Sequence, residues 1–152
     1  MSEDIFHLGI KALIRNKHGE ILLLHVDPAA VGGKEYWDIP GGRVQRGHGV
    51  EETLRREIEE ETGIRGRIEA KVDRVFYTYT GQDNETVDKE VHYFLVEAVS
   101  GSLKAQEEEI GGVSWHSPEE AWRLQRDMGY GNNDRVLAGA FRLLGIGVDG
   151  VG

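Results

Sequence analysis

The stretch whose reading decides the fold is Gly42-Arg43-Val44-Gln45-Arg46-Gly47-His48-Gly49-Val50-Glu51-Glu52-Thr53-Leu54-Arg55-Arg56-Glu57-Ile58-Glu59-Glu60-Glu61-Thr62-Gly63-Ile64. Its second half predicts a helix from Val50 to Thr62, because Val50, Leu54 and Ile58 recur every fourth residue and form a narrow apolar stripe. Gly63 stands where a left-handed residue would end that helix. At about 100° per residue, Glu57, Glu60 and Glu61 fall within roughly a 100° wedge of it. A solvated charged face is one reading of such a wedge, and two physical points oppose it. Solvated faces alternate sign, with glutamate four residues ahead of lysine or arginine. Glu51 with Arg55 and Glu52 with Arg56 obey that rule, whereas Glu57 has Glu61 at the corresponding position. The cluster also lies in the last turns, where the helix dipole disfavours negative charge by roughly 0.3–1 kcal/mol per residue. A bound divalent cation would supply the missing counter-charge. Oxygen-only ligation in a chain without cysteine points to a hard ion, Mg²⁺ or Mn²⁺.

Upstream of this helix, Phe6 to Ile14 and Ile21 to Val26 read as strands joined by a hairpin through Asn16-Lys17-His18-Gly19. A loop from Asp27 to Gly33 follows. Trp37-Asp38-Ile39-Pro40-Gly41-Gly42 then punctuates the chain, its paired glycines letting backbone approach a ligand closely. Downstream, Lys71 to Thr80 and Glu90 to Val99 are β-rich runs separated by the loop Gly81 to Glu85, so they read as a second hairpin. Val113 to His116 is a short strand. Ser117-Pro118-Glu119-Glu120 opens a second helix, with serine as cap, proline in the first turn and Glu120 completing a capping box. A third helix starts near Asn133, with Val136, Leu137, Ala140, Phe141 and Leu144 on one face. Strands interleaved with helices and hairpins make a mixed α/β domain.

The chain has 152 residues, enough for one domain spanning 1–152 and too few to expect two. Hydrophobic residues at 39% and charged residues at 30% place it among globular sequences. The absence of cysteine excludes a disulfide framework, a thiolate metal site and a cysteine nucleophile, and it fits a reducing compartment. No leader is read at Met1 to Lys11, and no apolar run is long enough to span a bilayer, so a cytoplasmic protein with no membrane partner is expected. A net charge of −9 without a basic block argues against long nucleic acid as a partner. A small anionic substrate remains compatible if a metal ion neutralises it locally.

The segment from Gly42 to Ile64 resembles the Nudix box, G-x5-E-x7-R-E-U-x-E-E-x-G-U with U apolar. Gly42, Arg56, Glu57, Ile58, Glu60, Glu61, Gly63 and Ile64 all stand at the required spacing. A match of this quality arises by chance on the order of once in ten million start positions. One position departs, with His48 where the box has glutamate. In the family that carboxylate neighbours the box arginine, so the departure implies weaker support for Arg56 with metal binding retained. The approach Trp37 to Gly42 and the run Ile110 to Ala121 also look like the family's. The implied fold is the Nudix α/β/α sandwich with a central mixed sheet.

The resemblance implies a hydrolase that cleaves a pyrophosphate bond in a nucleoside diphosphate linked to another group. Glu57, Glu60 and Glu61 would hold Mg²⁺ or Mn²⁺ together with the carbonyl of Gly41, and Arg56 would orient the carboxylates. For the general base, the run Gln106 to Glu109 offers Glu109 first and Glu108 second, with Glu57 as the candidate inside the box. The substrate is nucleotide-like. Tyr77, Tyr79, Lys89 and Tyr93 resemble positions of the dinucleoside-polyphosphate branch, which is the leading expectation. The proline that follows the box in many ADP-ribose hydrolases is missing, since none occurs between Pro40 and Pro118. A nucleoside triphosphate is the alternative substrate. The same tyrosines are equally read as strand packing, and Lys34, Arg43 and Lys89 as either phosphate contacts or surface charge. A ligand-binding Nudix module without catalysis is the alternative of another class. Family members are often homodimers, although nothing in the sequence marks an interface.

Overall fold

The computed structural model describes residues 5–26, 34–103, 110–129 and 133–148. The elements are β1 (Ile5–Arg15), β2 (Ile21–Val26), β3 (Tyr36–Asp38), β4 (Gly41–Arg43), α1 (Val50–Thr62), β5 (Ile64–Thr80), β6 (Thr86–Gly101), β7 (Ile110–His116), α2 (Pro118–Met128) and α3 (Asn133–Leu144). Among the described residues these strands form one mixed sheet of seven, in the order β3-β2-β1-β6-β5, with β4 on β1 and β7 on β2. β1 and β6 run parallel from Ile5↔Val87 to Arg15↔Glu97, and the other pairings are antiparallel.

Because side chains alternate across a strand, β1 feeds two cores at once. Ile10, Ala12 and Ile14 pack with Leu54 and Ile58 of α1, whereas Leu13 packs on the opposite face with Ala121 and Trp122 of α2 and Val136, Leu137, Ala140 and Phe141 of α3. Helices therefore cover both faces, and the layers are α/β/α as expected. The α1 stripe reads as predicted, with Leu54 and Ile58 fully buried. Gly63 ends the helix at φ 81°, donating its N–H to the Glu59 carbonyl at 2.9 Å.

Three expectations need correction. The hairpin turn at Asn16 to Gly19 forms, with the Asn16 side chain accepting from the N–H groups of His18 and Glu20. Beyond it, however, β1 and β2 pair only at Arg15↔Ile21. The Pro40-Gly41-Gly42 segment takes the edge of β1 instead: Ala12 N donates to the Pro40 carbonyl at 2.8 Å and Val44 N to the Leu8 carbonyl at 2.8 Å. Paired glycines expected as punctuation are thus a ladder strand. Second, β5 and β6 extend well past the runs read from Lys71 and Glu90. The pairing register shifts between Arg65 and Gly66, between Ile68 and Ala70 and between Lys71 and Asp73, which breaks the period-two pattern that would reveal the strand. Third, the capping box of α2 is half made. Glu120 N donates to Ser117 Oγ at 3.2 Å, but the Glu120 carboxylate pairs with the His116 ring.

Leu54→Ala removes a fully buried side chain between α1 and the sheet and is expected to cost about 2–5 kcal/mol of stability. Urea denaturation should show a lower midpoint at an unchanged slope.

Candidate active site

Gly41 and Gly42 of β4 lie between β1 and the C-terminal half of α1 with no room for side chains. A Cβ on Gly41 would sit 2.1 Å from the Ile10 carbonyl oxygen, and one on Gly42 would sit 2.7 Å from Glu57 Cδ and 3.0 Å from its Oε2. The two glycines thereby bring backbone directly onto the carboxylates of α1. Gly41 N donates to Glu61 Oε2 at 3.3 Å. Burial pushes the Glu61 carboxyl up to about 7; the Gly41 N–H opposes this, the charges of Glu57 and Asp38 reinforce it, and Lys11 offsets part. Arg56 lies beside the other two carboxylates, 3.7 Å from Glu57 Oε1 and 4.0 Å from Glu60 Oε1. Its NH1 also reaches His48 Nδ1 at 3.4 Å, so the residue that departs from the box still contacts the arginine.

A cleft of about 650 Å³ opens where β1 and β2 diverge. Gly41, Gly42 and Glu61 form one wall, with Glu57 behind Gly42. Lys11, Arg43 and Lys89 line it from β1, β4 and β6, and Tyr36, Tyr77 and Tyr93 add aromatic side chains. Burial and the neighbouring charges of Lys11 and Arg43 hold the Lys89 ammonium below its ordinary range. The floor is a hydrogen-bonded network. Asp38 Oδ1 accepts from Lys11 Nζ at 2.6 Å, Asn133 Nδ2 at 2.6 Å and Ile39 N at 2.8 Å, and the Tyr93 hydroxyl donates to Asn133 Oδ1 at 3.3 Å. Burial and the Asp38 charge push the Tyr93 phenol above its ordinary range.

The structure thus brings Gly41, Glu57, Glu61, Arg43, Lys89, Tyr77 and Tyr93 together, and it leaves others apart. Glu60, with its side chain 62% exposed, borders a shallow depression with Arg56, Glu59 and Gly63 rather than the cleft. Tyr79 is 38% exposed and outside the cleft, its hydroxyl 3.2 Å from His7 Nδ1. Lys34 is exposed and does not line it. Glu108 and Glu109 lie outside the described residues. Lys11, Asp38 and Asn133 were not singled out as site residues. Lys11 alone carried a local signal, a charge inside an otherwise apolar strand.

Among the described residues no three acidic or imidazole groups surround one point. The donor set nevertheless fits a hard divalent ion. Glu57 and Glu61 converge beneath backbone that admits no Cβ, and the burial-raised Glu61 lacks a full counter-charge.

Fold and site together define a three-layer α/β/α domain built around a glycine-backed carboxylate helix. The chain belongs to the Nudix family, whose NUDIX domain model matches residues 5–138. It is 36% identical over 83 residues to a candidate mutator protein, MutT4, of Mycobacterium tuberculosis, covering 55% of this chain and 33% of that protein. It is 34% identical over 110 residues to a candidate 8-oxo-dGTP diphosphatase of Bacillus subtilis, covering 72% of this chain and 66% of that one. The chain therefore spans from a third to just under two thirds of these relatives. The MutT protein of Methanosarcina mazei Go1 shares the fold at a TM-score of 0.69 and 26% identity, covering 95% of this chain and 99% of that one.

A carboxyl that titrates near 7 in the native state and near 4.5 when unfolded contributes stability that is fully present below about 4.5 and is lost as pH rises through about 7. Glu61→Gln, a mimic of the protonated acid, is therefore expected to raise the Tm of chelator-treated protein at pH 8 and to change it little at pH 5. Equal differences at both pH values would remove the burial argument.

Proposed function

We propose that this chain is a metal-dependent hydrolase of a phosphoanhydride bond in a nucleotide-like substrate. One observation carries the reading: a single cleft brings the buried Glu61 carboxylate and the bare backbone of Gly41 and Gly42 together with the cationic side chains of Arg43 and Lys89, the complement of a metal-bound polyphosphate. Nudix hydrolases generally use divalent metal ions. Here Glu57 and Glu61, with the Gly41 carbonyl and Glu60 at the outer edge, would hold Mg²⁺ or Mn²⁺. When bound, such an ion neutralises phosphate charge and lowers the pKa of coordinated water.

The chain's own side chains divide the remaining work. Arg56 braces Glu57 and Glu60 through charge-assisted contacts, limiting the rotamers from which each carboxylate can act. Arg43 and Lys89, which line the same cleft as Glu61, bind phosphate oxygens and so orient the scissile bond beside the carboxylates. Tyr77 supplies the surface against which a nucleobase packs, and Tyr93, only 4% exposed, belongs to the core cluster on which Tyr77 rests. The proton of the attacking water passes to a glutamate, either Glu109 or Glu108 before β7 or Glu57 on α1. Separate glutamine substitutions rank the three.

For the substrate class, a nucleoside triphosphate is the first reading. The B. subtilis relative points the same way by its name. A dinucleoside polyphosphate is the second reading, favoured by the presence of Tyr77, Lys89 and Tyr93 together on the cleft wall.

A panel of nucleoside triphosphates, dinucleoside polyphosphates, ADP-ribose and nucleotide sugars, assayed with Mg²⁺ and with Mn²⁺, is expected to show turnover of the first or second group. Glu57→Gln or Glu61→Gln should lower kcat by about two orders of magnitude or more while circular dichroism stays unchanged. Ligand binding without turnover at any metal concentration would instead mark a regulatory module.

A further inference from the structure

Arg43 reaches the mouth of the cleft from β4, and the structure shows what holds it there. Its NH1 group lies 3.1 Å from His7 Nε2, and His7 Nδ1 lies 3.2 Å from the Tyr79 hydroxyl. A guanidinium has no acceptor, so Nε2 must be the unprotonated nitrogen; the ring proton then sits on Nδ1 and is donated to the Tyr79 oxygen. Strand register accounts for the placement. His7 is opposite Lys89, Lys89 is opposite Tyr77, and Gly9, two residues along from His7, is opposite Arg43. Gly9 clears a path for the lysine, because a Cβ there would meet Lys89 Cε at 3.3 Å. Arg43 and Lys89 thus converge on one side of the cleft, and their mutual repulsion would turn the longer, exposed guanidinium toward solvent unless something restrained it.

We propose that His7 is a positioning residue: a neutral, Nδ1-protonated imidazole that leans on Tyr79 and holds Arg43 beside Lys89 at the substrate-facing mouth, and that releases Arg43 when protonated. This rests on Arg43 binding substrate phosphate, as read above. The groups facing His7 are Arg43 from β4, Lys89 from β6, Tyr79 from β5 and Glu85 from the turn between β5 and β6. Partial burial and the charges of Arg43 and then Lys89 disfavour the imidazolium, Glu85 favours it, and the outcome lies below the ordinary histidine range. Near neutral pH the strut is therefore intact. As pH falls through that lowered value, Nε2 gains a proton and can no longer accept from Arg43.

Two measurements on the full chain test this. Nitrogen-15 imidazole spectra should show His7 as the Nδ1–H tautomer, with a titration midpoint that rises in Arg43→Ala. An Nε2–H tautomer, or a midpoint indifferent to Arg43, overturns the strut. Kinetics with dGTP and Mg²⁺ form the second arm. His7→Ala and Arg43→Ala should each raise KM about 3- to 10-fold with kcat within about twofold, and His7→Ala should add nothing in the Arg43→Ala background. His7→Gln, whose amide oxygen can stand in for Nε2, should keep KM near wild type and lose the acid-side rise in KM. A raised KM in Arg43→Ala with none in His7→Ala overturns the positioning role. A wild-type KM in Arg43→Ala overturns the phosphate-binding reading itself, and the spectra then decide separately whether His7 and Arg43 are coupled.

Discussion

The seating of Gly41 and Gly42 between β1 and α1 is the contact from which the rest of the architecture hangs. Backbone packs against backbone on one side, where a Cβ would fall 2.1 Å from a carbonyl oxygen, and against the Glu57 carboxylate on the other, at 2.7 Å. The hydrogen bonds of this segment run in both directions, to Ala12 and Leu8 of β1 and to Glu61 of α1. One short strand therefore closes the edge of β1, sets the height of the helix above the sheet and places its carboxylates under bare backbone. Fold and site share this contact, so neither can be altered there without the other.

The helix held in this way carries a charge distribution that an isolated helix would resist. Its last turn contains no basic residue, and burial raises the Glu61 carboxyl toward neutrality. Misplaced charge near a helix C-terminus costs roughly 0.3–1 kcal/mol per residue. Complete burial of Leu54 and Ile58 contributes about 1.5–3 kcal/mol each, which outweighs that cost. The apolar stripe is what lets the flank beside it accumulate acid. The Arg56 contacts with Glu57, Glu60 and His48 spread the charge but do not cancel it.

The cleft has a different origin. It exists because β1 and β2 part after a single pair, one taking β4 as its neighbour and the other β3 and β7. Its floor is tied by Asp38, which accepts from groups in β1 and α3, while Asn133, only 2% exposed, has both ends of its amide bonded. Satisfied polar networks of this kind resist rearrangement, because breaking one bond strands a buried partner. The same divergence exposes Arg43 at the mouth, where a neighbouring histidine and tyrosine can act on it.

How much of this was legible in the sequence depends on the range of each interaction. Helix α1, its glycine stop, its apolar stripe and its carboxylate wedge were readable because covalent geometry places residues three and four apart on one face. The Nudix box extended that reading to Arg56, the approach segment before it extended the reading to Gly41, and Arg43, Lys89, Tyr77 and Tyr93 all line the cleft. Tyr79 shared the alternation of Tyr77 but lies beyond the cavity, where its hydroxyl meets His7. The true length of β5 was hidden by register shifts between Arg65 and Asp73. The pairs Lys11 with Asp38, Asn133 with Asp38 and His7 with Tyr79 join residues 27, 95 and 72 positions apart. Local spacing determined which side chains share a helix face. Only strand pairing, a choice among distant segments decided by packing both faces of one sheet, determined which of them meet across the cleft.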